Sequence, residues 1–249
     1  MIEQLRQRLL ALQKVPKIED GPGTLPLGIP VIDMALGGGF IRGALHEISA
    51  PGEAHLAAAA GFTLGLAIVS APSPHVFWIA EDMALAENGV PHGAGLDAFG
   101  LAPERLVRVS TVHRRDLLWA MEEALRCRAV DAVIGEMRTA GIDSVAMRRL
   151  SLAAADNGTL ALLLRAAPPN DASTAATRWI IGGAPSVTTH GPGAPRFNAQ
   201  LVRNRRGPVG SWILEWSSSN ECFILATHAQ PVAAPALNRP HRQVARKVA

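Results

Sequence analysis

Few residues in this chain carry chemistry by type and spacing. Carboxylates stand side by side at Glu81/Asp82 and at Glu122/Glu123. The second pair lies at i, i+1 in a stretch of helical periodicity, so its side chains point in different directions. The eight histidines are scattered, and no His-x3-His or Cys-x2-Cys pair marks a metal site. Cys127 and Cys222 provide no disulfide framework and fit a reducing cytosol. The Gly37–Gly39 run has no nucleophile and reads as a turn. Trp78, Trp119, Trp179, Trp212 and Trp216 sit in apolar contexts and read as packing residues rather than base-stacking platforms. Basic residues gather at Arg203, Arg205 and Arg206, with Arg196, Arg148/Arg149 and Arg114/Arg115 as further candidates for phosphate contacts.

Charge is unevenly spread. The formal net charge is +3, but residues 229–249 hold Arg239, Arg242, Arg246 and Lys247 and no acid. Without those four, 20 basic residues face 21 acidic ones, a net of −1. A basic tail suits either an anionic partner such as nucleic acid or a solvated, soluble end. Hydrophobic residues make up 48% of the 249 and charged residues 18%, which supports a sizeable core and argues against a largely disordered chain. With no Tyr, the core must be built mainly from Leu, Val, Ile and Ala.

The elements that would position these groups alternate. Residues 1–14 form an amphipathic pattern with Leu5, Leu9 and Leu12 on one side, not a signal peptide, and residues 15–30 read as a Pro/Gly-rich lead-in. Strands are expected at Ala44–Ser49, His75–Ala80, Arg105–Val109, Val130–Gly135 and Thr159–Leu164. Helices are expected at Ala54–Ser70, Arg114–Arg128 and Ser144–Asp156. Strands that alternate with helices of this length imply βαβ units and a mostly parallel sheet, and runs that are apolar throughout imply burial on both faces. The charge-free stretch Ala54–Ala80 is interrupted by Pro72 and Pro74 and is too short in its helical part to span a membrane. Four further strands, Thr177–Gly182, Phe197–Asn204, Ser211–Trp216 and Cys222–Ala226, are separated only by turns and predict an antiparallel extension. The expected organisation is an N-terminal helix and linker (1–20), a core domain (21–228) and a basic, disordered tail (229–249).

One resemblance runs through this pattern. From Leu25, LPLGIPVIDMALGGGFIRGALHEISAPGEA resembles the opening of the ATP-binding core of RecA-family recombinases, with Gly28, Asp33, Leu36–Gly39, Gly43, Glu47 and Ile48 in place. The match continues through HVFWIAEDMAL, AFGLAPERLVRV, RCRAVDAVIGEM and RNRRGPVGSW, covering roughly residues 24–226. It implies a RecA-like α/β core with antiparallel C-terminal strands. A phosphate loop needs Gly-x4-Gly-Lys-Ser/Thr: glycines let backbone N–H groups cradle phosphate, the lysine neutralises it, and the hydroxyl holds Mg²⁺. The corresponding loop is Ala50-Pro51-Gly52-Glu53-Ala54-His55-Leu56-Ala57, and Ala50, His55, Leu56 and Ala57 replace all four signature residues. Glu53 adds a carboxylate. Two unit charges ~5 Å apart at an effective dielectric of ~20 repel by roughly 3 kcal/mol, more than the ~0.3–2 kcal/mol a helix N-terminus returns. No bound nucleotide cofactor is expected.

The resemblance also implies acids at the ends of two strands. Glu136 would stand where a Mg²⁺-holding Asp belongs, and Glu81 or Asp82 where a water-activating Glu belongs. Without nucleotide these acids have no work, and they are expected to be vestigial and solvated. Arg203-Asn204-Arg205 matches a basic-Asn-basic element that reaches a neighbouring subunit's ATP. It would therefore be a trans-contact to recombinase, or a solvated hairpin touching DNA. The two loops that hold DNA in such recombinases correspond to Met137–Asp143, with Arg138 as its one base, and to Ala166–Ala175, with none. Both are poor phosphate binders.

Within the RecA-like group the phrases LWAMEEALRCRAVDAVIGE, RRLSLAAADNG-TLALLLR, STAATRWII and GSWILEW are similar to the ImuA family of bacterial mutagenesis cassettes. That resemblance implies a non-catalytic accessory role in SOS-induced translesion synthesis. The implied partners are an ImuB-like inactive Y-family polymerase and an error-prone polymerase III alpha subunit, with RecA and DNA as further candidates, in the cytoplasm and on the nucleoid after damage. The alternatives are a weak DNA-dependent NTPase and a regulator that caps a recombinase filament or, like SulA, inhibits division.

Overall fold

The computed structural model describes residues 23–138, 141–169, 173–186 and 193–226. The expected N-terminal helix and basic tail lie outside the described residues. A short hairpin opens the chain, pairing β1 (Thr24–Leu25) with β2 (Phe40–Ile41) antiparallel. Between them lies α1 (Pro30–Ala35), where Pro30 suits the first helical position because its missing N–H would have no partner there. The Asp33 carboxylate accepts from Leu27 N (2.8 Å) and Gly28 N (3.0 Å) and so ties the lead-in to α1. Gly39 returns the chain with φ +124°, and a side chain there would collide with the Leu25 carbonyl.

A nine-stranded sheet follows. Its members are β3 (Leu45–Ser49), β4 (Val76–Glu81), β5 (Leu106–Thr111), β6 (Ala132–Met137), β7 (Leu160–Arg165), β8 (Thr177–Gly183), β9 (Arg196–Asn204), β10 (Gly210–Ser217) and β11 (Cys222–Leu225). Their spatial order is β11-β10-β9-β8-β3-β7-β6-β4-β5. Strands β3 to β8 pair in parallel, and β8 to β11 pair antiparallel. The expected fold class, a mostly parallel α/β sheet with an antiparallel C-terminal extension, is the observed one.

Period-2 alternation divides the strand side chains between two cores. Val76, Trp78, Ala80, Ile134, Leu162 and Leu164 pack with α2 (Leu56–Ile68) and the C-terminal strands. Phe77, Ile79, Val133, Ala161 and Leu163 pack under α5 (Arg114–Leu125) and α6 (Ser144–Asn157). Asp143 caps α6 by accepting from Ala146 N at 2.7 Å. Helix α2 is buried almost all round, which is why its sequence has no polar stripe. Between β4 and β5 the chain forms two helices for which periodicity gave no signal, α3 (Asp82–Asn88) and α4 (Gly93–Phe99). Each has seven residues, too few for a repeating apolar face, and tertiary packing supplies their stability. No helix among the described residues is long and apolar enough to cross a membrane.

Candidate functional site

The strand–loop–helix geometry of a phosphate loop is present. Strand β3 ends at Ser49, Ala50 is buried, a 3-10 turn spans Glu53–His55, and α2 begins at Leu56. The side chains follow a different logic. Leu56, at the lysine position, turns into the core. Ala57, at the hydroxyl position, is exposed and has nothing to offer a metal ion. The Nδ1 of His55 accepts the Gly183 N–H at 3.1 Å, which pins the loop to the end of β8. Glu53 projects into solvent and pairs with Arg138 at 3.5 Å, and Arg138 also bridges to Glu87. The one base of the segment Met137–Asp143 is therefore drawn back over the loop.

Two of the three strand-end acids are not solvated, contrary to the sequence expectation. Glu136 is 6% exposed; its Oε2 accepts from Trp78 Nε1 (2.8 Å) and its Oε1 from Asn88 Nδ2 (3.1 Å). Glu81 is 5% exposed and accepts the Arg138 N–H at 2.9 Å. Carboxylates this deep must be hydrogen-bonded, because desolvation without partners costs several kcal/mol. They also diverge. Glu136 shares its strand face with Ala132 and Ile134 toward α2, whereas Glu81 follows Phe77 and Ile79 toward α5. Asp82 is exposed at the start of α3.

The basic candidates separate as well. Arg196 is not available for an external contact, because it pairs with Glu215 at 2.6 Å across β9 and β10. The turn after β9 is stitched to α1. Asn204 Nδ2 donates to Ala35 O (2.7 Å) and Pro208 O (3.1 Å), and Arg206 donates to Gly37 O (3.2 Å). The bond to Ala35 O satisfies a carbonyl at the end of α1, and Arg206 sets a cation just beyond that end. Arg205 donates to Ser173 O at 3.3 Å. Arg203 is half-buried and makes no side-chain hydrogen bond or ion pair among the described residues. Arg149 pairs with Glu122 at 2.5 Å, and Arg114 donates to Gly141 O at 2.6 Å. Parts of both DNA-type loops, residues 139–140 and 170–172, lie outside the described residues.

Sequence reasoning missed two buried polar networks. Glu47 is 1% exposed and lies between Arg165 (3.0 Å) and Arg178 (2.9 Å). The only hint is that charged residues interrupt otherwise apolar strands. His46 is fully buried between Ile41 O (2.9 Å) and Thr177 Oγ1 (2.7 Å), and burial lowers its pKa to about 4. Among the described residues no group of three or more His, Cys, Asp or Glu could hold a metal ion.

A parallel sheet headed by a strand–loop–helix and extended antiparallel beyond β8 defines a RecA-type α/β domain. The crystal structure of the RadB recombinase superposes with a TM-score of 0.54 at 16% identity, covering 80% of this chain and 98% of that one. No family model matches the sequence. Two curated relatives, each named Protein ImuA, from Caulobacter vibrioides strains NA1000 and CB 15, are 30% identical over 209 residues, covering 77% of this chain and 82% of theirs. The chain belongs to the ImuA family.

Proposed function

We propose that this chain is a non-catalytic RecA-like accessory protein in damage-induced, error-prone translesion DNA synthesis. It works through contacts with an ImuB-like inactive Y-family polymerase and an error-prone polymerase III alpha subunit rather than through ATP hydrolysis. One observation carries the reading: the phosphate-loop scaffold persists while Leu56 occupies the core, Ala57 lacks a hydroxyl and Glu53 adds an exposed carboxylate to the loop. Solvent screens the exposed Glu53 carboxylate, so the missing ammonium and hydroxyl weigh more than its repulsion. Each Glu136 oxygen already accepts a protein hydrogen bond, so direct Mg²⁺ ligation would have to compete with Trp78 and Asn88. Glu81 is turned to the Arg138 backbone N–H rather than to the loop.

The test is titration of the purified protein with fluorescent ATP and Mg²⁺ into the high micromolar range, followed by pull-downs against ImuB-like, recombinase and division partners. The expected result is no saturable nucleotide binding and capture of the ImuB-like partner. Saturable binding abolished by Glu136→Ala would overturn the non-catalytic reading. Arg203 favours a second reading, a cap on a recombinase filament, because its guanidinium is uncommitted among the described residues. Capture of recombinase that survives Arg203→Ala combined with Arg205→Ala counts against that reading.

A further inference from the structure

A cavity of about 420 Å³ runs along the flank of α2, beneath the segment that joins α3 to α4. Its size lies in the range of small-molecule sites, roughly 300–1,000 Å³. Leu56, Ala60 and Leu64 line one wall, and Trp78 and Phe99 supply aromatic surface. Glu136, 6% exposed, is part of the lining. Both carboxylate oxygens accept from neutral donors, the Trp78 indole and the Asn88 amide, and no cation among the described residues lies within ion-pair distance. A buried carboxylate satisfied only by neutral donors still favours a positive charge beside it. Glu53 and Glu87 also line the cavity and pair with Arg138, and His92 is the remaining titratable group of the lining.

We infer that this cavity binds an organic cation, an ammonium or guanidinium on an apolar stem, with the charge at Glu136 and the stem against Ala60, Leu64 and the rings of Trp78 and Phe99. Aromatic surface beside a carboxylate suits such a ligand, because ring faces attract cations and the walls take up the stem. The same lining disfavours phosphate. The cation can arrive as a free amine or as a lysine or arginine side chain of a partner protein, and the two sources present one chemistry.

The experiment uses the full chain and calorimetric titration. The probes are butylguanidinium, spermidine and a capped Gly-Gly-Arg-Gly-Gly peptide, with butyl sulfate as the anionic control. Saturable binding of at least one cation is expected, with no binding of butyl sulfate. Glu136→Gln should weaken that binding roughly tenfold or more. Ala60→Leu, which fills the cavity and leaves the carboxylate, should abolish it without lowering the melting temperature. Tighter binding of the peptide than of spermidine assigns the site to a partner side chain, and the reverse assigns it to a free amine. Absence of cation binding, or binding indifferent to both substitutions, overturns the inference. Should Glu136→Gln fail to fold, Ala60→Leu decides alone.

Discussion

The imidazole of His46 and the hydroxyl of Thr177, 131 positions apart in sequence, meet at 2.7 Å inside the protein. Ile41 O can only accept, so His46 Nε2 carries the proton and Nδ1 accepts from the Thr177 hydroxyl. Thr177 Oγ1 in turn accepts from Trp179 Nε1 at 3.0 Å. A neutral histidine therefore clamps β3, β8 and the hairpin strand β2 together.

Stability should accordingly depend on acid. The folded pKa of His46 is about 4, against 6.5 unfolded. Between those values the unfolded chain binds more protons, so stability falls as pH drops through that window, by on the order of 3 kcal/mol in total. Urea unfolding from pH 7 to 4 checks this. The His46→Gln variant should be less stable at pH 7 and should show a flatter profile. An equally steep profile in the variant would remove His46 from the explanation.

Glu47 should be among the most costly carboxylates to remove. Glu47→Ala leaves the Arg165 and Arg178 guanidiniums buried without the acid between them, a change of about 3–5 kcal/mol. Loss of Asp116, beside the exposed Arg115, should cost under about 1 kcal/mol. Thermal melts of the two variants give the comparison.

Gly65 reverses a familiar rule. Glycine to alanine inside a helix usually stabilises by roughly 1 kcal/mol. Here an added Cβ would lie 2.5 Å from Phe223 and 3.0 Å from Trp216. Gly65→Ala should therefore destabilise by about 1–3 kcal/mol through overpacking. A raised melting temperature would show that the β10–β11 aromatics yield easily.

The arginine turn should split into structural and free members. Asn204→Ala unties two carbonyls and should cost about 1–3 kcal/mol. Arg203→Ala should stay within about 0.5 kcal/mol of the parent. Denaturation midpoints measured alongside partner pull-downs separate folding effects from binding effects.

The fold was legible to the extent that it is local. Within HVFWIA and TLALLL the stretches VFWIA and LALLL are apolar because parallel strands are covered on both faces, and β4 and β7 lie within a residue of their expected positions. The amphipathic stripe Leu117, Met121 and Leu125 gave α5, and the turn-separated runs gave β8 to β11. The altered loop was equally plain, since the absence of lysine is a fact of composition at one place. Helices α3 and α4 were not legible, because seven residues contain too few turns to show a period.

What the sequence determined by itself, then, was the type and order of the elements and the chemistry missing from Ala50–Ala57. Those properties reside in neighbouring residues and in which side chains exist. Only the tertiary structure decided what surrounds each charge. Glu136 meets Trp78 across 58 positions, Arg196 is spent on Glu215, and Glu47 meets Arg178 across 131. A contact between residues remote in the chain leaves no period to read. It arises when the sheet order brings two strands together, and burial then makes each charged group find a partner.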